Sequence, residues 1–398
     1  MPRADAHREA EPERVASGAS AAQPHHDVVI VGAGAVGLLL GCLLARRGLD
    51  VVVLERRTER GGRSRAIGIH PPGLRALGLV GLEAAVRSHA AEIRSGRVMC
   101  RGRVLGALSF ARAGAVLSLP QLETEDLLER RLEELRPGSL RRGVEVVGLR
   151  DRGTHVEVSG TAGGEPVHVS ARYAVGADGV RSGIRDLLGL GWTQRRGRAH
   201  YVMCDTRDDT GEPSTALLHF EPAGVVESFP LPGGGRRWVA WVRRPPAEPS
   251  AQQLETIVRS RTGAGFDVDD ASVASAFEAR QHLAERMSRG RVALAGDAAH
   301  EISPIGGQGM NLGWLDAVRL DHDLVAALSA GAPFEAFEAY DLVRRRAAAR
   351  ATRQAAFNMA MGAPAHGLRL TARNAAVRVL AIPPLRVLLA NAFTMRWL

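Results

Sequence analysis

The chain contains no lysine: all 52 of the basic side chains among its 398 residues are arginines. A mechanism that needs a lysine amine is therefore closed to it. Aromatic residues are scarce, at 4%, and there are only three cysteines. Cys42, Cys100 and Cys204 form neither a CxxC pair nor a metal-binding spacing with histidine, so no metal site is expected. They read as free buried thiols of a reducing cytosol. A long apolar run is also missing. The nearest to one, Ala375 to Phe393, is interrupted by Arg378, Arg386 and the Pro383–Pro384 pair. Residues 1–26 lack the apolar segment of a secretory signal and read as a disordered polar tail. A cytoplasmic protein is expected. The formal charge is +9, but the arginines are interleaved with Glu and Asp. Solvated helix faces account for that pattern, and nothing in it resembles a nucleic-acid module.

What is present begins at Asp27. Asp27-Val-Val-Ile-Val31 is a β-branched apolar run, as a buried strand would be. Gly32-Ala-Gly-Ala-Val-Gly37 follows, then a helical stretch from Leu38 to Arg47 closed by Gly48. Val51-Val-Val-Leu54 is a second strand and ends in Glu55. This is a β-α-β unit with parallel strands. Gly32 permits the tight turn, Gly34 lets the backbone approach a pyrophosphate, and Gly37 lets the helix pack close to the strand. Ala35 and Val36 open the helix, whose free N–H groups and positive dipole end suit phosphates. Glu55, with Arg56 beside it, stands where a carboxylate accepts from ribose hydroxyls. The unit therefore binds a dinucleotide.

Farther along, residues 61–75 read as loop. Short β-like runs occupy 93–119, a helix follows at Leu122–Leu135, and strands alternate with turns from Val144 to Ser170. Strand-like segments recur over 198–245, helices are expected near 251–261 and 271–285, and Arg291-Val-Ala-Leu-Ala295 is another buried strand before helices to the end. The pattern is mixed α/β with a second, sheet-based domain.

Two more segments carry chemistry. Ala177-Asp178-Gly179-Val-Arg181-Ser182-x-x-Arg185 follows a strand. Gly296-Asp297-Ala-Ala-His300 runs on to Pro304, Gly306, Gly307, Gly309, Met310 and Asn311. In order and spacing, the three segments resemble the group A FAD-dependent monooxygenases, the p-hydroxybenzoate hydroxylase-like family, from Asp27 to about Arg350. The resemblance implies a Rossmann-like FAD-binding domain of the glutathione-reductase type, with an inserted antiparallel-sheet substrate domain and a helical C-terminal tail. It places the FAD domain at 27–92, 120–188 and 283–355, the sheet domain at 93–119 and 189–282, and the tail at 356–398. It gives Asp297 the ribityl chain and the Gly306–Asn311 loop the flavin ring. A helix N-terminus there would stabilise the anionic reduced flavin. Asp178 and Gly179 are linked to FAD and nicotinamide binding, Arg65 or Arg63 to the pyrophosphate or ring, and Gln121 to the flavin.

Only one Gly-x-Gly-x-x-Gly follows a strand, which matches a family whose NAD(P)H visits without a dedicated domain. The resemblance implies a monooxygenase that consumes NAD(P)H and O2 and hydroxylates an aromatic or polyketide-like small molecule through a C4a-hydroperoxyflavin. Phe220, Phe229, Trp238 and Trp241 are candidate pocket walls. His219, Tyr201 and Arg65 are the available catalytic candidates, none with a spacing that demands the role. Glu301 lies close to the expected flavin site, and His300 more plausibly organises its loop. A geranylgeranyl-reductase-like enzyme acting without O2 and a non-catalytic flavin-binding protein remain alternatives. A halogenase is disfavoured, because no Trp-x-Trp-x-Ile-Pro signature and no lysine occur. The C-terminal segment is too short for the thioredoxin-like domain of larger polyketide hydroxylases. It would pack on the FAD domain or form an amphipathic surface for peripheral membrane contact.

Overall fold

The computed structural model describes residues 25–61, 66–270, 272–330 and 336–396. β1 (His26–Val31) and β2 (Val51–Glu55) are short runs of mostly Val and Ile with almost every side chain buried, and α1 (Ala35–Arg46) crosses between them. That crossover makes them parallel neighbours, Val28 opposite Val51 through Val31 opposite Leu54. After the two-residue β3 (Gly68–Ile69), α2 (Pro71–Gly78) starts where a loop is expected from sequence. Two prolines at its first positions, which need no helical N–H, initiate it. Next come α3 (Glu83–His89), β4 (Ala91–Ile93), β5 (Ser95–Cys100), β6 (Arg103–Ser109), β7 (Val116–Ser118) and α4 (Gln121–Leu135).

β8 (Leu140–Arg142), β9 (Val144–Asp151), β10 (Val156–Ala162) and β11 (Glu165–Gly176) follow. The twelve residues of β11 do two jobs. Its first half closes an antiparallel meander with β10 and β9, and its second half lies parallel to β1. After α5 (Gly183–Leu187) and β12 (Trp192–Gln194) come β13 (Ala199–Arg207), β14 (Thr215–Glu221), β15 (Gly224–Leu231), β16 (Gly235–Val242) and α6 (Ala251–Thr262). The helix expected near 271–285 is absent. β17 (Ala274–Ala279) and β18 (His282–Ala284) stand there instead, because β17 can pair along the free edge of β13. Sheet pairing overrides a weak local helical preference. β19 (Ser288–Arg289), β20 (Val292–Leu294), β21 (His300–Glu301), α7 (Gln308–Ala330), α8 (Ala336–Gly362), α9 (Gly367–Leu380) and α10 (Leu385–Phe393) complete the chain. Residue 355 lies within α8, so the tail expected from 356 continues a helix that starts earlier.

The main sheet runs β19-β20-β11-β1-β2-β8, with β10 and β9 attached to β11. Its core is filled by α1 and α7, among them Leu38, Leu39, Leu40, Leu312 and Leu320. A seven-stranded sheet, β17-β13-β16-β15-β14-β5-β6, is antiparallel except between β14 and β5. Its strands come from both stretches of chain that flank α4 and the meander. One face packs on α6: Val202, Val226, Trp238 and Ala240 meet Leu254, Val258 and Phe266. The other face looks toward the first domain. No single helix among the described residues is long and apolar enough to cross a membrane.

Candidate active site

The glycines of the first turn are used in three different ways. Gly32 has φ +107°, and a Cβ there would sit 2.4 Å from the Ala177 carbonyl oxygen. A Cβ on Gly37 would sit 1.9 Å from the Gly32 carbonyl oxygen. Both positions therefore need glycine for backbone geometry and helix–strand approach. Gly34 instead has only the Glu125 carboxylate, 3.8 Å away, near its Cβ position, and it lines a cavity.

Glu55 accepts from the Ala33 amide at 2.9 Å and from the Arg57 backbone and guanidinium at 3.0 and 2.9 Å. Burial pushes its carboxyl up, but the Arg57 bonds and the Ala33 amide together hold it below the ordinary value. Arg56 is exposed on the following loop. The Ala35 amide, at the N-terminus of α1, donates 3.2 Å to Glu125 on α4. The same carboxylate oxygen accepts from the Gln121 amide at 2.7 Å. An acidic group thus already occupies one of the helix's free donors, which is what the dipole favours. Nothing in the sequence pattern singled out Glu125.

The cavity, about 640 Å³, begins at Gly34, Ala35, Val36 and Gln121 and continues past Gly179 and Asp297 to Pro304, Gly306, Gly307, Gly309 and Met310. A Cβ on Gly179 would meet nothing within 4 Å, so the backbone there faces open space. The Asp178 side chain does not line the cavity. It caps its own loop, accepting from the Ile184 amide at 3.1 Å, and burial raises its carboxyl. Arg185, also buried, donates to the carbonyls of Ala298 and Val180 at 3.2 and 3.1 Å and stacks over Trp192. It joins the Asp178 loop to the Gly296 loop.

Asp297 projects into the cavity and makes no hydrogen bond among the described residues. Its exposed surface is the cavity wall; on its other sides protein atoms desolvate it and push its carboxyl up to about 6, opposed by His300 and helped by Glu301 and Asp316. Behind it stands a buried hub. Asp316 on α7 accepts from the Gly296 amide at 3.0 Å, from His300 Nε2 at 2.6 Å and from Arg344 Nε at 2.6 Å. Burial works against this carboxylate, yet His300 and Arg344 hold it below its ordinary value. His300 is therefore a loop organiser. Glu301 lines the cavity and bonds His282 at 2.7 Å.

Gly306 and Gly307 have φ of +98° and +65°, a turn open to residues without a Cβ. Asn311 is fully buried behind it rather than at the cavity. Its amide accepts from the His70 backbone at 2.8 Å and donates to the Gly68 and Gly307 carbonyls at 2.9 and 2.8 Å. Asn311 therefore fastens β3 and α2 to the loop. His70, which sequence reasoning missed, lines the cavity. Burial pushes its ring down to about 4, so the neutral ring donates from Nε2 to the Gly306 carbonyl at 3.0 Å and Nδ1 is left without a partner. Arg63 and Arg65 lie outside the described residues.

The far end of the cavity is the seven-stranded sheet. Leu218, Glu227, Val239, Met203 and Ser275 are register partners across β14, β15, β16, β13 and β17, and all five line it. Of the four expected walls, only Phe229 does. Trp238 is a correction: it points to the opposite face and stacks on Phe266. Phe220 and Trp241 are on the cavity side but pack beyond its end, in a cluster with Ile305 and Met359. His219 shares the face of Trp238, buried, with its ring pushed down to about 4 by desolvation alone. Side-chain alternation therefore removes it as a base. Tyr201 is buried against Phe277, outside the cavity lining, its hydroxyl without a hydrogen bond and its ionisation pushed up by burial.

The site fits a flavin dinucleotide. A helix N-terminus with a bare glycine edge, a partnerless carboxyl at the Asp297 position and a turn that no Cβ fills make up one continuous cavity. Fold and site together define the class, an FAD-binding flavoenzyme. The family described as FAD binding domain matches residues 25–355. The chain belongs to this family, that of the group A flavoprotein monooxygenases; it is an FAD-dependent oxidoreductase. It is 37% identical over 339 residues to a 12-dehydrotetracycline 5-monooxygenase/anhydrotetracycline 6-monooxygenase of Streptomyces rimosus, covering 81% of this chain and 67% of that one. Among solved structures it resembles the anhydrotetracycline hydroxylase of Streptomyces rimosus, at a TM-score of 0.77, 32% identity and 93% and 76% coverage. It shares the fold of the p-nitrophenol 4-monooxygenase of Pseudomonas putida DLL-E4, at a TM-score of 0.83, 24% identity and 92% and 97% coverage.

Proposed function

We propose that this enzyme hydroxylates a phenolic, polycyclic aromatic small molecule of the polyketide type, with NAD(P)H as transient reductant and O2 as oxygen source. One observation carries the reading: the cavity does not stop at the cofactor end but continues onto a sheet face lined by Leu218, Val239, Met203 and Phe229. The tetracycline-directed activity in the relative's name supports the substrate class.

Bound FAD supplies two-electron acceptance and the activation of oxygen. The chain's own residues do the rest. The Gly34 and Val36 amides at the α1 terminus would hold the pyrophosphate, the Ala35 amide being engaged with Glu125, and Glu55 ends β2 beside them. Asp297 and the 304–310 loop would hold the middle and ring of the cofactor. The Asn311 and His70 bonds keep that loop rigid. Leu218, Val239, Met203 and Phe229 exclude water from the reacting face. The buried free thiols Cys42, Cys100 and Cys204 support a reducing, cytoplasmic setting.

The test is NAD(P)H oxidation by the holoenzyme with anhydrotetracycline, alizarin and naphthol, using both nicotinamides, in air and under argon. The expected result is faster oxidation with one of the aromatics and, in air only, a product heavier by one oxygen atom. A product formed under argon would overturn the reading in favour of a reductase.

A further inference from the structure

Glu227 is the one side chain of the five-residue row across the sheet that carries a charge. Its neighbours in register are Leu218 and Val239. It is 4% exposed, lines the cavity, and has neither a hydrogen bond nor an ion pair among the described residues. An isolated buried carboxyl is costly unless something satisfies it. Structural carboxylates elsewhere in this molecule are satisfied: Asp316 has three donors and Asp205 a bidentate arginine, Arg237. A partnerless carboxyl facing the cavity awaits a donor from outside the protein.

We propose that Glu227 accepts the hydrogen bond, and then the proton, of a ring hydroxyl on the aromatic substrate; the inference rests on the substrate class proposed above. In the step, the phenolic O–H bond breaks and the proton passes to a Glu227 carboxylate oxygen. The electron pair stays on the phenolic oxygen and enriches the ring carbons ortho and para to it. Those carbons then attack an electrophilic oxygen more readily. The proton returns to solvent as product leaves.

The surroundings suit a base working near neutral pH. Desolvation alone pushes the Glu227 carboxyl up to about 7. Arg237 on β16 is engaged with Asp205, and Tyr201 on β13 stays protonated. Ile93 on β4 and Val116 on β7 are apolar. Across the cavity stand His70, Asp297 and the Glu301–His282 pair, and at β17 Glu278 is paired with Arg280. Because Glu227 must be ionised to accept, the rate should fall as pH drops through about 7.

The experiment compares wild-type holoenzyme with Glu227→Gln and Glu227→Asp, using the best substrate of the panel and its O-methyl ether. Alizarin, whose visible absorbance reports its ionisation, is the binding probe. Flavin content and melting temperature control for folding, and the aspartate keeps the charge if the amide disturbs packing. The expected result is a loss of about 100-fold or more in kcat for Glu227→Gln. Its acidic limb disappears, alizarin binds un-ionised, and affinity for the ether is unchanged. The aspartate variant keeps the acidic limb at a reduced rate. Wild-type rates and pH profile in Glu227→Gln would overturn the inference alone. If no aromatic accelerates even the wild type, the substrate reading fails first and this inference falls with it.

Discussion

Glu55 ends β2 and Asp297 follows β20, both strands of the main sheet, yet their surroundings pull the two carboxylates in opposite directions. Glu55 has donors from Ala33 and Arg57 and is held below its ordinary value; Asp297 has none and rises to about 6. A raised carboxyl means that the folded apo-protein binds this proton more tightly than the unfolded chain. Ionised Asp297 therefore costs stability, a cost reduced by screening where the side chain meets the open cavity, and it grows as pH rises from about 4 through 6. Asp297→Asn should raise the apo-protein's melting temperature at pH 7.5 and lose that advantage at pH 4, while weakening FAD retention. Melting curves of apo-protein across pH check this, and an advantage that persists at pH 4 would refute it.

At the scale of elements, alternation along the sheet decides which aromatic side chain does what. Phe229 on β15 faces the cavity, while Trp238 on the adjacent β16 faces α6. Trp238→Ala should cost about 3–5 kcal/mol of stability through the void left against Phe266, with KM for the aromatic substrate unchanged. Phe229→Ala should leave the melting temperature closer to wild type and raise KM about tenfold, the equivalent of about 1.4 kcal/mol of lost contact. Denaturation and steady-state kinetics on the pair separate the two faces. The Asp316 hub works at the same scale. By joining the Gly296 amide, His300 and Arg344, it holds the end of β20 against α7 and α8.

Across the whole molecule, the cavity is built from segments hundreds of residues apart: Gly34, Gln121, Gly179, Glu227 and Asp297 all reach it. A ligand that bridges them binds only the folded state. FAD should therefore raise the melting temperature of apo-protein progressively with its concentration, by about 2.7 kcal/mol of stabilisation at a hundred times its Kd. A melting temperature indifferent to added FAD would contradict the assignment of this cavity to the cofactor. Many of the arginines stand in surface pairs such as Arg60 with Glu129 and Arg87 with Glu83, each worth little on its own.

Much of the cofactor half was legible because its demands are local. A turn that needs φ above zero, a helix that must touch a strand, and an acid at a strand end are properties of neighbouring residues. Gly32, Gly34, Gly37 and the Gly306–Gly307 turn therefore declare themselves in the sequence. The sheet half did not. Which face of β15 or β16 looks at the cavity depends on a register set by partners far along the chain. So Trp238 and His219 read as site residues and are not, while Glu227, an acid inside the apolar run Val225 to Leu231, passed unnoticed. Asp178 and Asn311 show the same limit within the motifs: their spacing marks the right loops, but only the folded contacts show both side chains turned into the scaffold. Local geometry belongs to the sequence; the direction a side chain faces, and whether a buried charge finds a partner, belongs to the tertiary structure.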